Sequence, residues 1–247
     1  KIPFTASYAA FSPGRNWEQI RTTICLNDQP VKIVGAHAGV SVGPDGATHQ
    51  MLEDIALMRV LPNMVVVAPG DSIEAEKATL LLAENNKPSY IRLAREKSPI
   101  FSTENSPFEI GKAYVLRQGS DVSLLGTGPM TYQLLMLARL LELQDIHAEV
   151  VHVPTIKPLD EATILDSIRK TGRAVTAEEA QIAGGFGGAV SEQIKKKMPT
   201  PLFRIGIQDH FGESGTPAEL LETFGLTADT MLSSIVDFLK RVPQYKP

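Results

Sequence analysis

The sequence predicts an α/β protein built from two three-layer α/β domains with mainly parallel sheets. Short apolar runs rich in β-branched residues alternate with stretches of helical spacing, which indicates parallel strands joined by crossover helices. The alternation occurs in two series, separated by a polar stretch that contains prolines. The chain of 247 residues also has room for one large or two modest domains, at about 150 residues per domain.

The first series of strands and helices covers the chain up to residue 93. Its apolar runs predict four strands, over residues 3–11, 31–36, 64–68 and 89–93. The spacing of apolar residues predicts three helices, over residues 17–26, over 51–60 and from 71 onward. A Gly-rich loop over residues 37–49 joins the second strand to the second helix. The chain opens at Lys1 and runs directly into an apolar stretch, so we expect residues upstream to complete this first domain.

The second series follows a polar segment over residues 95–112, which we interpret as the inter-domain linker. The predicted domains are residues 1–107 and 108–247. Strands are predicted over residues 121–126, 148–153, 173–177 and 201–207. Helices are predicted over residues 130–143, 163–169, 188–197, 217–224 and 228–242.

Composition narrows the classes of function. Hydrophobic residues make up 43% of the chain and charged residues 21%, the balance of an ordinary globular protein. The net charge of -4 argues against a general nucleic-acid binder, which needs a basic face. No apolar run approaches the roughly 20 residues of a membrane span, and no signal peptide is visible. Because Cys25 is the single cysteine, no internal disulfide can form, and a cytoplasmic location is expected.

The loop over residues 37–50 is the densest candidate site. It contains His37, Asp45 and His49 among several glycines, and it follows a predicted strand. Ligands of parallel α/β sheets bind at the carboxyl ends of strands. Imidazoles can exchange protons near neutral pH, and glycines let the backbone approach a ligand closely. A solvent-facing Gly-rich turn is the alternative interpretation.

Two further groups of residues lie at predicted strand ends. Tyr8 and Phe11 occur where the first strand runs into a turn, and such aromatic rings could sandwich a flat heterocycle; ordinary core aromatics are the alternative. Arg92 and Arg95 end the fourth strand, three residues apart. Arginine binds phosphate through two parallel hydrogen bonds, although a lone arginine of this kind is more often a surface charge or an ion-pair partner.

Longer motifs resemble the transketolase family. The run Val34-Gly-Ala-His37 through Asp45-Gly-Ala-Thr-His49-Gln50 looks like the pyrimidine-binding domain of transketolases, and residues 89–95 fit the end of that domain. Residues 112–240 are similar to the transketolase C-terminal domain, with Glu178-Glu179 and residues 211–217 as good matches. The chain looks closest to the C-terminal section of a split transketolase, in which two polypeptides share the work of one.

The resemblance implies a role for each candidate residue. Tyr8 and Phe11 match aromatics that line the aminopyrimidine pocket of the cofactor. His37 and Arg95 match residues that hold the phosphate end of the substrate. Asp45 matches an aspartate that reads a substrate hydroxyl, and His49 matches a second histidine at the substrate channel. The implied reaction transfers a two-carbon ketol unit between sugar phosphates.

The resemblance also implies what lies elsewhere. The cofactor would be thiamine diphosphate with Mg²⁺, and no metal ligand is expected in this chain. The diphosphate-binding domain and the glutamate that activates the aminopyrimidine would come from upstream residues or from a partner, the transketolase N-terminal section or a second subunit. A homodimer or heterotetramer is expected, with neither nucleic acid nor membrane as a partner. Ala38-Gly39 and Pro44 depart from the family pattern, which could alter sugar preference.

Two alternative functions stay open at this point. Trp17-Glu18-Gln19 together with Tyr8 and Phe11 resembles 1-deoxyxylulose-5-phosphate synthase nearly as well, and the β-subunit of a 2-oxoacid dehydrogenase belongs to the same superfamily. Residues 211–217 favour split transketolase over these enzymes. A non-catalytic assembly subunit is the alternative from a different class.

Overall fold

A computed structural model describes residues 1–245, and two five-stranded sheets organise this part of the chain. The strands are β1 (Phe4–Tyr8), β2 (Lys32–Ala36), β3 (Val65–Val67), β4 (Ser89–Arg92), β5 (Tyr114–Arg117), β6 (Val122–Gly126), β7 (Ala148–His152), β8 (Thr155–Lys157), β9 (Ala174–Gln181) and β10 (Leu202–Ile207). The α-helices are α1 (Trp17–Gln19), α2 (Asp54–Arg59), α3 (Ser72–Glu84), α4 (Met130–Glu142), α5 (Glu161–Thr171), α6 (Phe186–Lys197), α7 (Pro217–Thr223) and α8 (Ala228–Arg241). The predicted fold class, α/β with two mainly parallel sheets, is confirmed.

The first sheet has the strand order β1-β2-β4-β3-β8. The first four of these strands run parallel, whereas β8 pairs antiparallel with β3. Strand β8 comes from the second half of the chain, so the second half completes the first sheet. Sequence patterns missed β8 because its place in the first sheet depends on a tertiary contact, the pairing with β3. The boundary between residues 107 and 108 stays a prediction.

The second sheet has the strand order β10-β9-β6-β7-β5. Its only antiparallel pair among the described residues joins β5 to β7. Strand β5 lies at the sheet edge and exposes Val115 and Leu116, and the sequence patterns did not predict it. The last two residues of the predicted second domain, 246 and 247, lie outside the described residues.

Capping residues define the starts of α3 and α7. Asp71 accepts a hydrogen bond from the backbone N–H of Glu74 and starts α3, as predicted. Thr216 and Glu219 form a reciprocal capping box at the start of α7. The predicted helix over residues 51–60 is shorter, because Met51 instead pairs with Ala38 in an isolated bridge. The predicted helix over 17–26 continues from α1 as a π-helix over Ile20–Cys25.

The two halves share hydrophobic packing. One buried cluster contains residues from both sheets and from the helices between them, including Met58, Tyr90, Val151 and Phe186. A second cluster lies mainly around α4 and α8 in the second half and also includes Val40 and Leu52 of the first half. The loop after β2 is therefore packed directly against the second sheet. None of the helices within residues 1–245 has the length and apolarity needed to cross a bilayer.

Candidate functional site

The carboxyl ends of β1 and β2 bring two predicted site residues together. Tyr8 ends β1 and is in register with Ala36, the last residue of β2, so His37 emerges beside the Tyr8 ring. The two rings stack with centroids 4.0 Å apart and planes 11° apart. His37 has a φ of 57°, in the left-handed region. This uncommon backbone conformation for a non-glycine residue turns the chain sharply at the end of the strand.

Phe11 and His49 complete an aromatic cluster with Tyr8 and His37. Phe11 follows a turn in which its N–H donates to the Tyr8 carbonyl, and its ring lies parallel to that of Tyr8 at 5.9 Å. His49 meets both rings edge-on, at 5.8 Å from Tyr8 and 5.3 Å from Phe11. Its Nδ1 shares a hydrogen bond of 2.8 Å with the Thr48 hydroxyl, which fixes the orientation of the imidazole.

In this structure the Tyr8 and Phe11 rings lie too close together to hold a flat heterocycle between them. A heterocycle between two rings needs about 7 Å, since each stacking contact takes roughly 3.5 Å, and the observed separation is 5.9 Å. Tyr8 is also covered by His37, and the Arg15 guanidinium lies 4.5 Å from the Phe11 ring centre.

Asp45 and Arg95 lie together at the rim of the site. Asp45 is exposed at the tip of a turn between Gly43 and Gly46, both of which have positive φ. The Arg95 Nη1 donates to the Val42 carbonyl at 2.6 Å and lies 3.9 Å from the Asp45 carboxylate. A third of the Arg95 side-chain surface is exposed (33%). Such a half-exposed pair is worth at most about 1 kcal/mol, so an incoming anion can compete for the guanidinium.

The electrostatics of His37 connect the rim to the aromatic cluster. Burial lowers the pKa of His37, and the nearby Arg95 charge lowers it further, against the opposing influence of Asp45 and Glu96. The imidazole is therefore neutral near pH 7. Its Nδ1 is buried and has no hydrogen-bond partner among the described residues. A neutral imidazole can donate one hydrogen bond and accept one, and the Arg95 guanidinium is a positive charge close enough to affect its pKa.

Arg92 does not belong to the site, and its interpretation as part of a phosphate-binding arginine pair is wrong. Its side chain is 6% exposed, its Nε donates to the Asp54 carboxylate at 2.9 Å, and its Nη2 donates to the Glu179 carbonyl at 2.7 Å. The reason is positional: Arg92 is the last residue of β4 and points into the interface between the halves. Arg95 lies beyond the strand and reaches the rim.

The second half of the chain supports the site loop in a way that sequence patterns did not predict. The Gln50 amide donates to the Glu213 carbonyl at 2.9 Å, and also to the carbonyls of Val40 and Gly43 at 3.2 Å each. The Glu179 carboxylate accepts the N–H of Ser41 at 2.6 Å. A polar side chain such as Gln50 within a Gly-rich loop indicates that the loop makes hydrogen bonds, but the sequence does not reveal that Glu213 accepts one of them.

The site shows no metal centre of its own. Within residues 1–245, no group of three or more His, Cys, Asp or Glu side chains is arranged to hold a metal ion. The aromatic rings of Tyr8 and Phe11 are of the chemical type that contacts an aminopyrimidine, the role that the family resemblance implies for them.

Two family profiles match the chain. The profile of the transketolase pyrimidine binding domain matches residues 1–99, and that of the transketolase C-terminal domain matches residues 111–231. A putative transketolase C-terminal section from Methanocaldococcus jannaschii is 41% identical over 244 residues, covering 98% of this chain and 76% of the relative. This chain belongs to the transketolase family.

Other relatives show which part of a transketolase the chain represents. A 6-deoxy-6-sulfo-D-fructose transketolase subunit from Clostridium sp. is 40% identical, and the match covers 98% of this chain and 75% of that subunit. Human transketolase is 35% identical, but the match covers only 38% of it. A solved structure described as a split gene transketolase, inactive beta4 tetramer, superposes with a TM-score of 0.92 at 42% identity, covering 98% of this chain and 78% of that one. The resemblance to a transketolase C-terminal section is confirmed.

Proposed function

We propose that this chain is the C-terminal section of a split transketolase, which transfers a two-carbon ketol unit between sugar phosphates and needs an N-terminal-section partner for activity. One observation carries the proposal. Tyr8, Phe11, His37 and His49 converge at the carboxyl edge of the first sheet, beside the rim pair of Asp45 and Arg95. The cluster provides an aromatic surface, two imidazoles, a hydroxyl acceptor and an anion-binding guanidinium in one place.

Each residue has a chemical task in this proposal. Bound thiamine diphosphate supplies the electron sink for breaking and forming the carbon–carbon bond. Tyr8 and Phe11 contact the aminopyrimidine and keep water from it. His37, neutral because of its lowered pKa, orients a polar group of the substrate through a hydrogen bond. His49 is placed to exchange a proton with a sugar hydroxyl.

Asp45 and Arg95 act at the two ends of the sugar. The Asp45 carboxylate only accepts hydrogen bonds, so it selects a hydroxyl that points towards it next to the reacting carbon. Arg95 binds the anionic end of the sugar through charge-assisted hydrogen bonds. Two relatives carry anionic sugars in their names, a 6-deoxy-6-sulfo-D-fructose transketolase subunit and an apulose-4-phosphate transketolase subunit from Phocaeicola vulgatus. These names support an anionic sugar as the substrate class, and we propose sugar phosphates.

The partner would carry Mg²⁺ and the diphosphate-binding residues. Relatives described as subunits or as a C-terminal section support this division of labour. The solved relative described as an inactive tetramer supports the proposal that such a chain is inactive by itself. The proposed assembly is a homodimer or heterotetramer in the cytoplasm, with the complete site formed between the two sections.

Reconstitution tests this proposal. The purified chain is assayed with thiamine diphosphate and Mg²⁺, with and without a diphosphate-domain partner, on xylulose 5-phosphate plus ribose 5-phosphate. We expect turnover only with the partner. Pyruvate plus glyceraldehyde 3-phosphate serves as the matched substrate pair, because turnover of that pair alone would identify a 1-deoxyxylulose-5-phosphate synthase. Robust ketol transfer by the chain alone would contradict partner dependence, and no turnover of either pair by the assembled complex would favour a non-catalytic subunit.

A further inference from the structure

The site loop is held from the second half of the chain by a buried carboxyl group, that of Glu179. Glu179 lies on β9 of the second sheet and is 4% exposed. Its carboxylate accepts a hydrogen bond from the N–H of Ser41 at 2.6 Å, across 138 residues of sequence. Ser41 lies four residues before Asp45, in the same loop. The contact therefore joins a residue outside the catalytic cluster to the segment that presents the sugar-reading carboxylate.

The backbone of the loop is shaped around the Glu179 side chain. Gly39 has a φ of 94°, and a Cβ at this position would lie 2.2 Å from the Glu179 Oε1. No side chain fits there while Glu179 keeps its position. The next residues form a 3₁₀ turn over Val40–Val42, and the Gly43 N–H donates to the Val40 carbonyl at 3.0 Å. The positions of the turn and of Glu179 are thus mutually determined.

Glu179 is itself held in place from the first half. Arg92 donates to the Glu179 carbonyl at 2.7 Å and is paired with Asp54, which is completely buried. Glu179 therefore contacts the first half twice, through its backbone carbonyl and through its carboxyl group. A hydrogen bond in a buried setting is strong and has a defined direction, so this arrangement allows the loop little freedom.

We propose that Glu179 is a positioning residue, which fixes the Ser41 backbone and thereby sets where the loop over residues 40–46 presents Asp45 to the sugar. The effect of Glu179 on catalysis rests on the proposed function. The structural part, the restraint of the loop by the second half of the chain, stands on the contacts alone. The two parts have separate measurements.

The adjacent residue offers a matched control. Glu178 lies on the same strand and is completely buried. Its two carboxylate oxygens accept the N–H groups of Phe186 and Gly187 at 2.6 and 2.8 Å, at the start of α6 in the second half. Both glutamates are thus buried acceptors of backbone hydrogen bonds. Only Glu179 reaches the site loop, so a general effect of losing a buried carboxylate appears in both variants.

Amide hydrogen exchange of the full chain tests the restraint without any activity. In Glu179→Ala the Ser41 N–H loses its partner, and we expect exchange of the amides of residues 40–46 to accelerate by about tenfold or more, since a buried donor is left unpaired. Glu179→Gln keeps an acceptor oxygen and is expected to restore most of the protection. Glu178→Ala is expected to accelerate exchange near the start of α6 and to leave residues 40–46 unchanged. Equal protection of these loop amides in Glu179→Ala and wild type would overturn the proposal.

Kinetics of the complex with its N-terminal-section partner test the consequence for the sugar. We expect Glu179→Ala to raise KM for the ketose phosphate by about tenfold with a smaller change in kcat, because the displaced loop weakens recognition. Glu179→Gln should recover most of this loss, and Glu178→Ala should leave KM unchanged. Equal KM values in Glu179→Ala and wild type, or equal effects of the two alanine variants, would overturn the positioning role. Absence of ketol transfer by the wild-type complex would instead refute the proposed function, and hydrogen exchange would still decide whether Glu179 restrains the loop.

Discussion

The two halves of the chain share an α/β plan but use the carboxyl edges of their sheets differently. At the edge of the first sheet, Tyr8, His37 and Asp45 keep part of their surface accessible. At the edge of the second sheet, Glu178 is completely buried and caps α6, while Glu179 faces the loop of the first half. These polar residues thus stay accessible in one half and are buried in contacts that hold the protein together in the other. The difference lies in what covers the edge, since the second edge is packed against the first half.

Arg92 and Arg95, three residues apart, show the same contrast between a buried and an accessible polar residue. The stabilities of their alanine variants should differ accordingly. Removal of the Arg92 side chain leaves the buried Asp54 carboxylate without its cation. Breaking one partner of a buried pair typically costs about 3–5 kcal/mol. We expect Arg92→Ala to lower the free energy of unfolding in urea by that amount, and Arg95→Ala to lower it by less than about 1 kcal/mol.

A double variant sharpens the test of the Arg92 pair. If the loss comes from the stranded charge, then Asp54→Asn combined with Arg92→Ala should be more stable than Arg92→Ala alone, because the unpaired charge is gone. A loss below about 1 kcal/mol in Arg92→Ala would show that the pair contributes little. That result would remove the distinction between the buried and the accessible arginine.

Glu178 provides a test of burial at the second edge through the pH dependence of stability. Burial raises the pKa of Glu178 from 4.5 to about 7, although two backbone N–H groups favour its charged form. Between these values the folded protein binds more protons than the unfolded chain, so the free energy of unfolding falls as pH rises from 4.5 to 7 and this contribution is constant above pH 7. The expected decrease is about 3 kcal/mol, at roughly 1.4 kcal/mol per pKa unit.

The measurement for Glu178 is a difference between two proteins. Urea unfolding of wild type and Glu178→Gln is compared from pH 4.5 to 8, and the wild-type stability relative to the variant should decrease with pH. Asp71 and Asp160, whose pKa values are lowered by hydrogen bonds, act in the opposite direction at lower pH and cancel in the difference. The exposed Glu222→Gln is the control for the substitution itself. Parallel curves for wild type and Glu178→Gln would show that Glu178 keeps its ordinary pKa.

Parts of the site could be predicted from sequence because parallel strands place their carboxyl ends at one edge. Tyr8 ends β1 and His37 follows β2, and because these strands pair with Tyr8 opposite Ala36, their convergence required only the correct strand pairing. The separation of Arg92 from Arg95 could not be predicted, since it depends on where β4 ends and on what lies beyond it. The contact of Glu179 with Ser41 spans 138 residues, and local patterns contain no information about a partner so distant. Strand β8 was missed for the same reason, because its position in the first sheet is a tertiary contact.

Arg95 tests whether the first edge binds an anion. In the assembled enzyme, Arg95→Ala should lower kcat/KM for phosphorylated donors by roughly tenfold to a hundredfold, since hydrogen bonds to charged groups are worth about 1.5–3 kcal/mol. Unphosphorylated donors should be affected much less. The measurement is kcat/KM for matched donors with and without the phosphate. Because Arg95 also donates to the Val42 carbonyl, an equal loss for both donors would assign it to support of the loop.

Asp45 tests whether the accessible edge reads stereochemistry, and the expected effect is about one to two factors of ten. The carboxylate is exposed at a turn between two glycines of positive φ, and its contact with Arg95, at 3.9 Å, is loose. It is therefore free to accept a sugar hydroxyl, and a site built to bond a hydroxyl discriminates against a ligand in which that group is misplaced. Asp45→Ala should lower kcat/KM for the correctly configured ketose phosphate and change the value for its epimer, or for hydroxypyruvate, much less. The measurement is the ratio of kcat/KM for two donors that differ only at that centre.

Asp45→Asn keeps an acceptor oxygen and should retain part of the discrimination. A ratio that stays constant while both rates fall would mean that Asp45 supports the loop, as Glu179 does from the other side, and that the sugar is read elsewhere.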